Sequence, residues 1–160
     1  MLNKLSNKLS SIINYLYFSI YTLRYNIKLG CKFCIHGKLD FRVYKTSVLE
    51  IDDNFYFSNA RKLNPICRNV RGSVRIEKKA ELIIGNNVAI SSACIWVHEF
   101  VKIGNNVWIG PSSVITNRII LEDNCFITLG AVVTRGVKQG ETVTGNFAIP
   151  HQKFLKNFKR

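Results

Sequence analysis

The chain has 160 residues, one domain's worth, and its 47% hydrophobic content with a mean hydropathy of +0.05 excludes a disordered chain. Twenty-three Lys and Arg against ten Asp and Glu give a net charge of +13, which points to an anionic partner: a phosphorylated cofactor, a nucleotide-linked substrate, an acidic membrane surface or nucleic acid. No stretch holds about 18 uninterrupted apolar residues, so no transmembrane helix is expected.

Residues 1–29 carry Leu2, Leu5, Leu9, Ile12, Ile13, Leu16, Ile20 and Leu23 at roughly helical spacing, with Lys4, Lys8, Arg24 and Lys28 beside them. This pattern predicts an amphipathic helix or a pair of helices. A small-residue cleavage site is missing, which argues against a secretory signal. The segment is expected to cover the end of the structure that follows. Its bases and Tyr15, Tyr17, Tyr21 and Tyr25 would alternatively lay it on an anionic membrane.

Residues 30–149 are read as one β domain. Its first part, 30–75, holds short strands of imperfect phase, broken by an Asn64-Pro65 turn and a basic loop from Arg68 to Arg75. The five cysteines are Cys31, Cys34, Cys67, Cys94 and Cys125, an odd count that fits reduced thiols in a cytosolic protein. Cys31 and Cys34 form a lone Cys-x-x-Cys with only His36 nearby, too few ligands for a zinc site, and no metal is expected.

Residues 76–137 are more regular. Ile103, Ile109, Ile115, Leu121, Ile127 and Val133 recur every six residues, and Ile84, Ile90, Trp96 and Ile51, Phe57, Leu63 continue the spacing upstream. A period of six fits neither a helix nor a plain strand. It fits a chain that turns a corner every six residues and sends one aliphatic side chain per flat face into a narrow core, a parallel β-helix. A β-sandwich would show irregular spacing. Gly85-Asn86-Asn87, Gly104-Asn105-Asn106, Gly110 and Glu122-Asp123-Asn124 follow their anchors and suit tight corners. Val88, Cys94, Val107, Ser113, Ile119, Cys125 and Ala131, four residues after each anchor, are expected to form a second inward set.

One slip interrupts the count. Ile84 to Ile103 is nineteen residues where three hexads need eighteen, and the extra residue is assigned between Trp96 and Ile103. An insertion there must bulge outward. It would bring His98, the one histidine of the regular coils, to the surface, and imidazole is suited to accept a proton near neutral pH. Residues 150–160 open with Pro150 and run basic with Phe154, Leu155 and Phe158, a short capping helix or a basic tail.

From Lys79 to Ala148 the chain resembles the hexapeptide-repeat acyltransferases, a left-handed β-helix family that uses acetyl-CoA. The likeness rests on Ile103-Gly104-Asn105-Asn106-Val107-Trp108-Ile109-Gly110, on Leu129-Gly130-Ala131-Val132-Val133-Thr134-Arg135-Gly136-Val137, and on Gly145-Asn146-Phe147-Ala148. Leu63-Asn64-Pro65-Ile66-Cys67-Arg68-Asn69 is similar to the subgroup found in capsule and lipopolysaccharide gene sets. Two departures stand out. The long Asp-Phe-His loop of many sugar acetyltransferases is absent from Ile109–Val133, and the usual Gly-Asn-Pro-Ala exit reads Gly-Asn-Phe-Ala. His98 is nevertheless placed like the catalytic histidine of the serine acetyltransferase branch, a few residues before a coil.

The resemblance implies direct acetyl transfer from acetyl-CoA to a hydroxyl or amino group of a sugar in surface polysaccharide biosynthesis. The acceptor would be a sugar or a nucleotide- or lipid-linked sugar, and the enzyme a homotrimer in the cytoplasm or at the inner face of the membrane. His98 is the candidate base. Gly110, Ser112, Gly130 and Ala131 match positions where pantetheine meets main chain, and Thr134, Arg135 and Lys138 could meet the CoA phosphates. Trp108 should point outward, where it could flank the acceptor with Glu99 or bury at a subunit interface. Glu99, next in the chain, should not face the imidazole. Cys94, as an inward residue, is a poor nucleophile. The competing readings are a serine acetyltransferase-like enzyme, an inactive scaffold and an anionic-surface binder. No nucleic-acid motif occurs.

Overall fold

A computed structural model describes residues 12–13, 16–20, 22–37, 39–59 and 71–145. Among these the chain winds through sixteen short strands in repeating sets of three. The first coil is β1 (Asn26–Leu29), β2 (Cys34–His36) and β3 (Asp40–Val43). The second is β4 (Val48–Ile51), β5 (Tyr56–Ser58) and β6 (Ser73–Ile76). The third is β7 (Glu81–Ile84), β8 (Ala89–Ser91) and β9 (Cys94–Val97). The fourth is β10 (Phe100–Ile103), β11 (Trp108–Ile109) and β12 (Val114–Ile115). The fifth is β13 (Ile119–Leu121), β14 (Phe126–Ile127) and β15 (Val132–Val133), and β16 (Thr142–Val143) lies on a sixth.

Equivalent strands pair in parallel, coil on coil, giving three sheets. Face A is β1-β4-β7-β10-β13, face B is β2-β5-β8-β11-β14-β16, and face C is β3-β6-β9-β12-β15. The result is a left-handed parallel β-helix of triangular section. Ile103, Ile109, Ile115, Leu121, Ile127 and Val133 are all 5% exposed or less. Their β-branched or bulky aliphatic side chains fill the prism axis, each contributing about 1.5–3 kcal/mol on burial.

The edge between faces A and B shows how local chemistry makes the corner. Asn54, Asn87, Asn106 and Asn124 hold φ between 55° and 61°, the left-handed region that Asn tolerates better than most residues. Their amides form a ladder: Asn54 donates to Asn87 (2.9 Å), Asn87 to Asn106 (3.0 Å) and Asn106 to Asn124 (3.2 Å). The glycine that opens the corner serves a different need. A Cβ on Gly104 would meet Asp123 Oδ1 at 2.4 Å and the Asp123 nitrogen at 2.8 Å, so coil-to-coil approach, and not positive φ, demands it.

The phase slip is not the single insertion expected. Face C pairs Ile95, not Trp96, with Val74 and Ile115. The corner at Ser92-Ala93 is one residue shorter than a hexad allows, and the passage from Ile95 to Ile103 is two residues longer. Ala93 therefore takes the inward place expected of Cys94, which is only half-buried, and Trp96 is 51% exposed. Cys125 does lie inside, and burial raises its thiol pKa.

Residues 16–20 and 22–24 are helical. Phe18 covers the open end of the first coil, with ring centroids 5.1 Å from Phe33 and 4.7 Å from Phe41. The stripe expected to do this, Leu16, Ile20 and Leu23, is exposed. Leu2, Leu5, Leu9, the 63–69 motif, Asn146–Ala148 and the 150–160 tail lie outside the described residues.

Ile109→Asp should abolish the cooperative melt followed by far-UV circular dichroism, because it buries an unpaired charge. Ile120→Asp, on the outer side of β13 and 46% exposed, should change stability by no more than about 0.5 kcal/mol. Equal effects at the two positions would refute the inward assignment.

Candidate functional site

His98 and Glu99 form the corner between β9 and β10, on the edge between faces C and A, and both are exposed. The corner is held from the next coil. Asn117 Oδ1 accepts the backbone N–H of His98 (3.0 Å) and of Glu99 (2.7 Å). Two peptide units are thus fixed by one amide, and the imidazole projects from a rigid base. The Glu99 carboxylate turns along the edge to Arg118, at 2.8 Å from Nε and 2.6 Å in the ion pair. That bond lowers the Glu99 carboxyl pKa. The Glu99 carboxylate is thus engaged by Arg118.

A second group faces His98 from its own strand. The Trp96 and His98 rings are 4.6 Å apart, tilted by 49°. Trp96 Nε1 donates to Glu77 Oε1 at 3.2 Å, and Arg75 Nε lies 2.5 Å from the same oxygen. The indole N–H first, then the guanidinium, hold the Glu77 carboxyl below its ordinary value of 4.5, with a weaker pull from a charged His98. Arg75, Glu77 and Trp96 so form a linked set across two coils, of which Trp96 meets the imidazole. Trp96 was expected inside, and this arrangement was missed for that reason. The nineteen-residue offset between Glu77 and Trp96, and again between His98 and Asn117, is the signal that could have found both partners.

The remaining sequence candidates fall elsewhere on the prism. Gly110 and Ser112 turn the chain from β11 to β12, and Gly130 and Ala131 from β14 to β15, so all four lie on the edge between faces B and C. Gly130 N donates to Pro111 O at 2.9 Å, joining the two corners. Ser112 and Gly130 both hold positive φ. Thr134 and Arg135 follow β15 on the edge that carries His98, and Lys138 precedes β16 on the third edge. A cavity of about 780 Å³ at this last coil brings Ala131, Thr134, Arg135 and Lys138 together. Trp108 points outward from face B, its ring stacked on Phe126 at 4.3 Å and 12°. Its aromatic face toward the next coil is therefore already occupied. Cys34 Sγ lies 3.2 Å from His36 Nε2 on the outer side of face B, and among the described residues no third metal-ligating side chain joins them.

Within the chain, then, the imidazole and the Gly110–Gly130 corners stand on different edges of face C. A family model described as Bacterial transferase hexapeptide (six repeats) matches residues 100–135. The match spans β10 to β15, less than a quarter of the chain, and makes this stretch similar to the hexapeptide-repeat transferases. No curated protein matches it. The matched stretch begins two residues after His98 and contains Trp108 and every candidate cofactor residue except Lys138.

Acidification should separate Trp96 from Glu77. A carboxyl whose folded pKa is depressed contributes stability above its unfolded value and loses it as pH falls through the folded one. The Trp96 indole N–H resonance should therefore titrate with a midpoint below 4.5 and cease to do so in Glu77→Gln. A midpoint at or above 4.5 would contradict the bond.

Proposed function

We propose that this protein is an acetyl-CoA-dependent acetyltransferase acting on a hydroxyl, or an amino group, of a sugar used in surface polysaccharide. The observation that carries the reading is the exposed His98 imidazole, held on a prism edge by Asn117 and adjoining the stretch that matches the hexapeptide transferases. The acceptor O–H gives its proton to the imidazole as its oxygen attacks the thioester carbonyl. A C–O bond forms, the C–S bond breaks, and the proton leaves with the CoA thiolate as thiol. A corner backbone N–H would stabilise the tetrahedral oxyanion, and holding both substrates in one groove supplies proximity.

The separation of His98 from Gly110 and Gly130 within one subunit supports a homotrimer. Threefold packing of prisms would set the His98 edge of one copy against the Gly110–Gly130 edge of its neighbour. Pantetheine would run along the latter edge, and Arg135 and Lys138 would meet the CoA phosphates. The exposed Leu16, Ile20 and Leu23 support peripheral contact with the cytoplasmic face of a membrane. An inactive scaffold is the second reading, favoured by the unbroken hexads between Ile109 and Val133.

Thiol release from acetyl-CoA with a panel of sugars and nucleotide sugars should fall at least about a hundredfold in His98→Ala, while acetyl-CoA still raises the melting temperature of the variant. Unchanged turnover would remove His98 from the mechanism. The absence of any melting shift at millimolar acetyl-CoA in the native chain would leave the scaffold reading standing.

A further inference from the structure

A general base needs more than a proton acceptor. Once an imidazole has taken the acceptor's proton it is a cation, and it must be held in place and stabilised until that proton passes to the CoA thiolate. A carboxylate bonded to the second ring nitrogen is the usual device. Among the described residues, His98 meets Asn117 through its backbone and Trp96 through its ring, and no carboxylate bonds the imidazole. Glu77 and Glu99, the two carboxyls on which a charged His98 pulls, hold other partners. Glu99 bonds Arg118, and Glu77 bonds Trp96 and Arg75.

What meets the ring is an indole. Strand β9 buries Ile95 and Val97 and turns Trp96 outward. His98, two residues on from Trp96, shares that outer side. The 4.6 Å between their ring centroids is inside the roughly 6 Å over which an aromatic face attracts a cation, and Trp offers the strongest such face. Arg75 Cζ lies farther out, 6.0 Å from the same centroid.

The indole is itself fixed. Its Nε1–H donates to Glu77 Oε1 at 3.2 Å, and the Glu77 side chain is only 18% exposed. Register explains the hold. Ile76 pairs with Val97, and the Glu77 N–H donates to Val97 O at 2.9 Å, so Glu77 lies one coil from the corner that carries His98. A negative oxygen on the indole N–H also polarises the ring and strengthens its pull on a cation. Face C lies between the edges that the proposed trimer sets against neighbouring copies. The ring pair needs no open surface, and excluding water there would strengthen the attraction.

We propose that Trp96 is the positioning residue of the His98 base: held by Glu77, it orients the imidazole and stabilises the imidazolium of the transition state where a carboxylate would otherwise do so. The proposal rests on the reading of His98 as the base.

The test measures thiol release from acetyl-CoA, with the most active sugar of the panel, in Trp96→Leu and Trp96→Phe. Leucine keeps apolar bulk without a ring face, and phenylalanine keeps a face without the N–H. In Trp96→Leu, kcat should fall about tenfold, with KM for acetyl-CoA and its melting shift unchanged. Trp96→Phe should recover most of the loss. The His98 ring C–H resonances, identified by their absence from His98→Ala, should carry a ring-current displacement that Trp96→Leu removes and Trp96→Phe partly keeps. Native kcat in Trp96→Leu, an equal loss in Trp96→Phe, or a loss confined to KM overturns the proposal. So does an unchanged His98 spectrum in Trp96→Leu. A failure of the base itself shows differently: His98→Ala keeps its turnover while the ring-current displacement still vanishes in Trp96→Leu. Absent turnover by the native chain would sink the base and its positioning residue together.

Discussion

Coil-on-coil register is the constraint from which the rest of this molecule follows. Each inward aliphatic side chain sits between its equivalents one coil before and one coil after. The same alignment is fixed by backbone bonds such as Gly85 N to Ile103 O at 2.8 Å and Gly104 N to Leu121 O at 2.7 Å. A slip of one residue would turn every inward side chain outward. Because the prism is thin, no slack exists to absorb such an error. Whatever is not inward must therefore lie on a face or an edge, and residues of equal phase share it. The asparagine ladder on the edge between faces A and B is one product of this rule, and the pairing of Arg75 with Trp96 on face C is another.

The regular part of the fold was legible because one side chain per hexad is inward wherever the corners have equal length. Ile103 through Val133 obey this, and their period alone identifies the coil. Trp96 and Cys94 were misplaced because a period counts residues and does not see corner lengths. One corner shortened by one and the next passage lengthened by two leave the same net excess as a single insertion. The surface position of His98 could still be read, since it lies within that excess under either account. Its surroundings could not. Asn117 reaches it, and Glu77 reaches its neighbour Trp96, from adjoining coils, and the offset to the next coil varies along the chain: 33 residues between Glu50 and Ile83, 19 between Trp96 and Glu77, 18 between Asn105 and Asp123. Contacts of that kind become visible only when every corner has been measured.

The same geometry shapes the functional proposal. An edge of a triangular prism is convex, and the cavity at the last coil, which reaches from Ala131 to Lys138, does not include His98. His98 on one edge and Gly110 with Gly130 on another act together only if a second copy supplies the missing wall, and the proposed trimer would do so with identical surfaces. The rigid seating of His98 by Asn117 matters in that setting. A base on a convex edge has few neighbours to orient it, and a single amide bonding two consecutive peptide N–H groups replaces them.

A different corner sets the molecule's capacity to change. Between β5 and β6 the regular turn is replaced by a longer excursion whose two ends meet at Asn59. Its buried side chain accepts the Gly72 N–H at 2.7 Å and donates to the Gly72 carbonyl at 3.3 Å. One amide thus closes the stem as a rung of backbone would, and the coils above and below keep their alignment regardless of what is threaded between. The entropy of closing a loop grows only slowly with its length, by about 0.6 kcal/mol for each doubling. Evolution can graft new sequence at this stem almost freely, and so retune recognition on a scaffold whose interior never has to be redrawn.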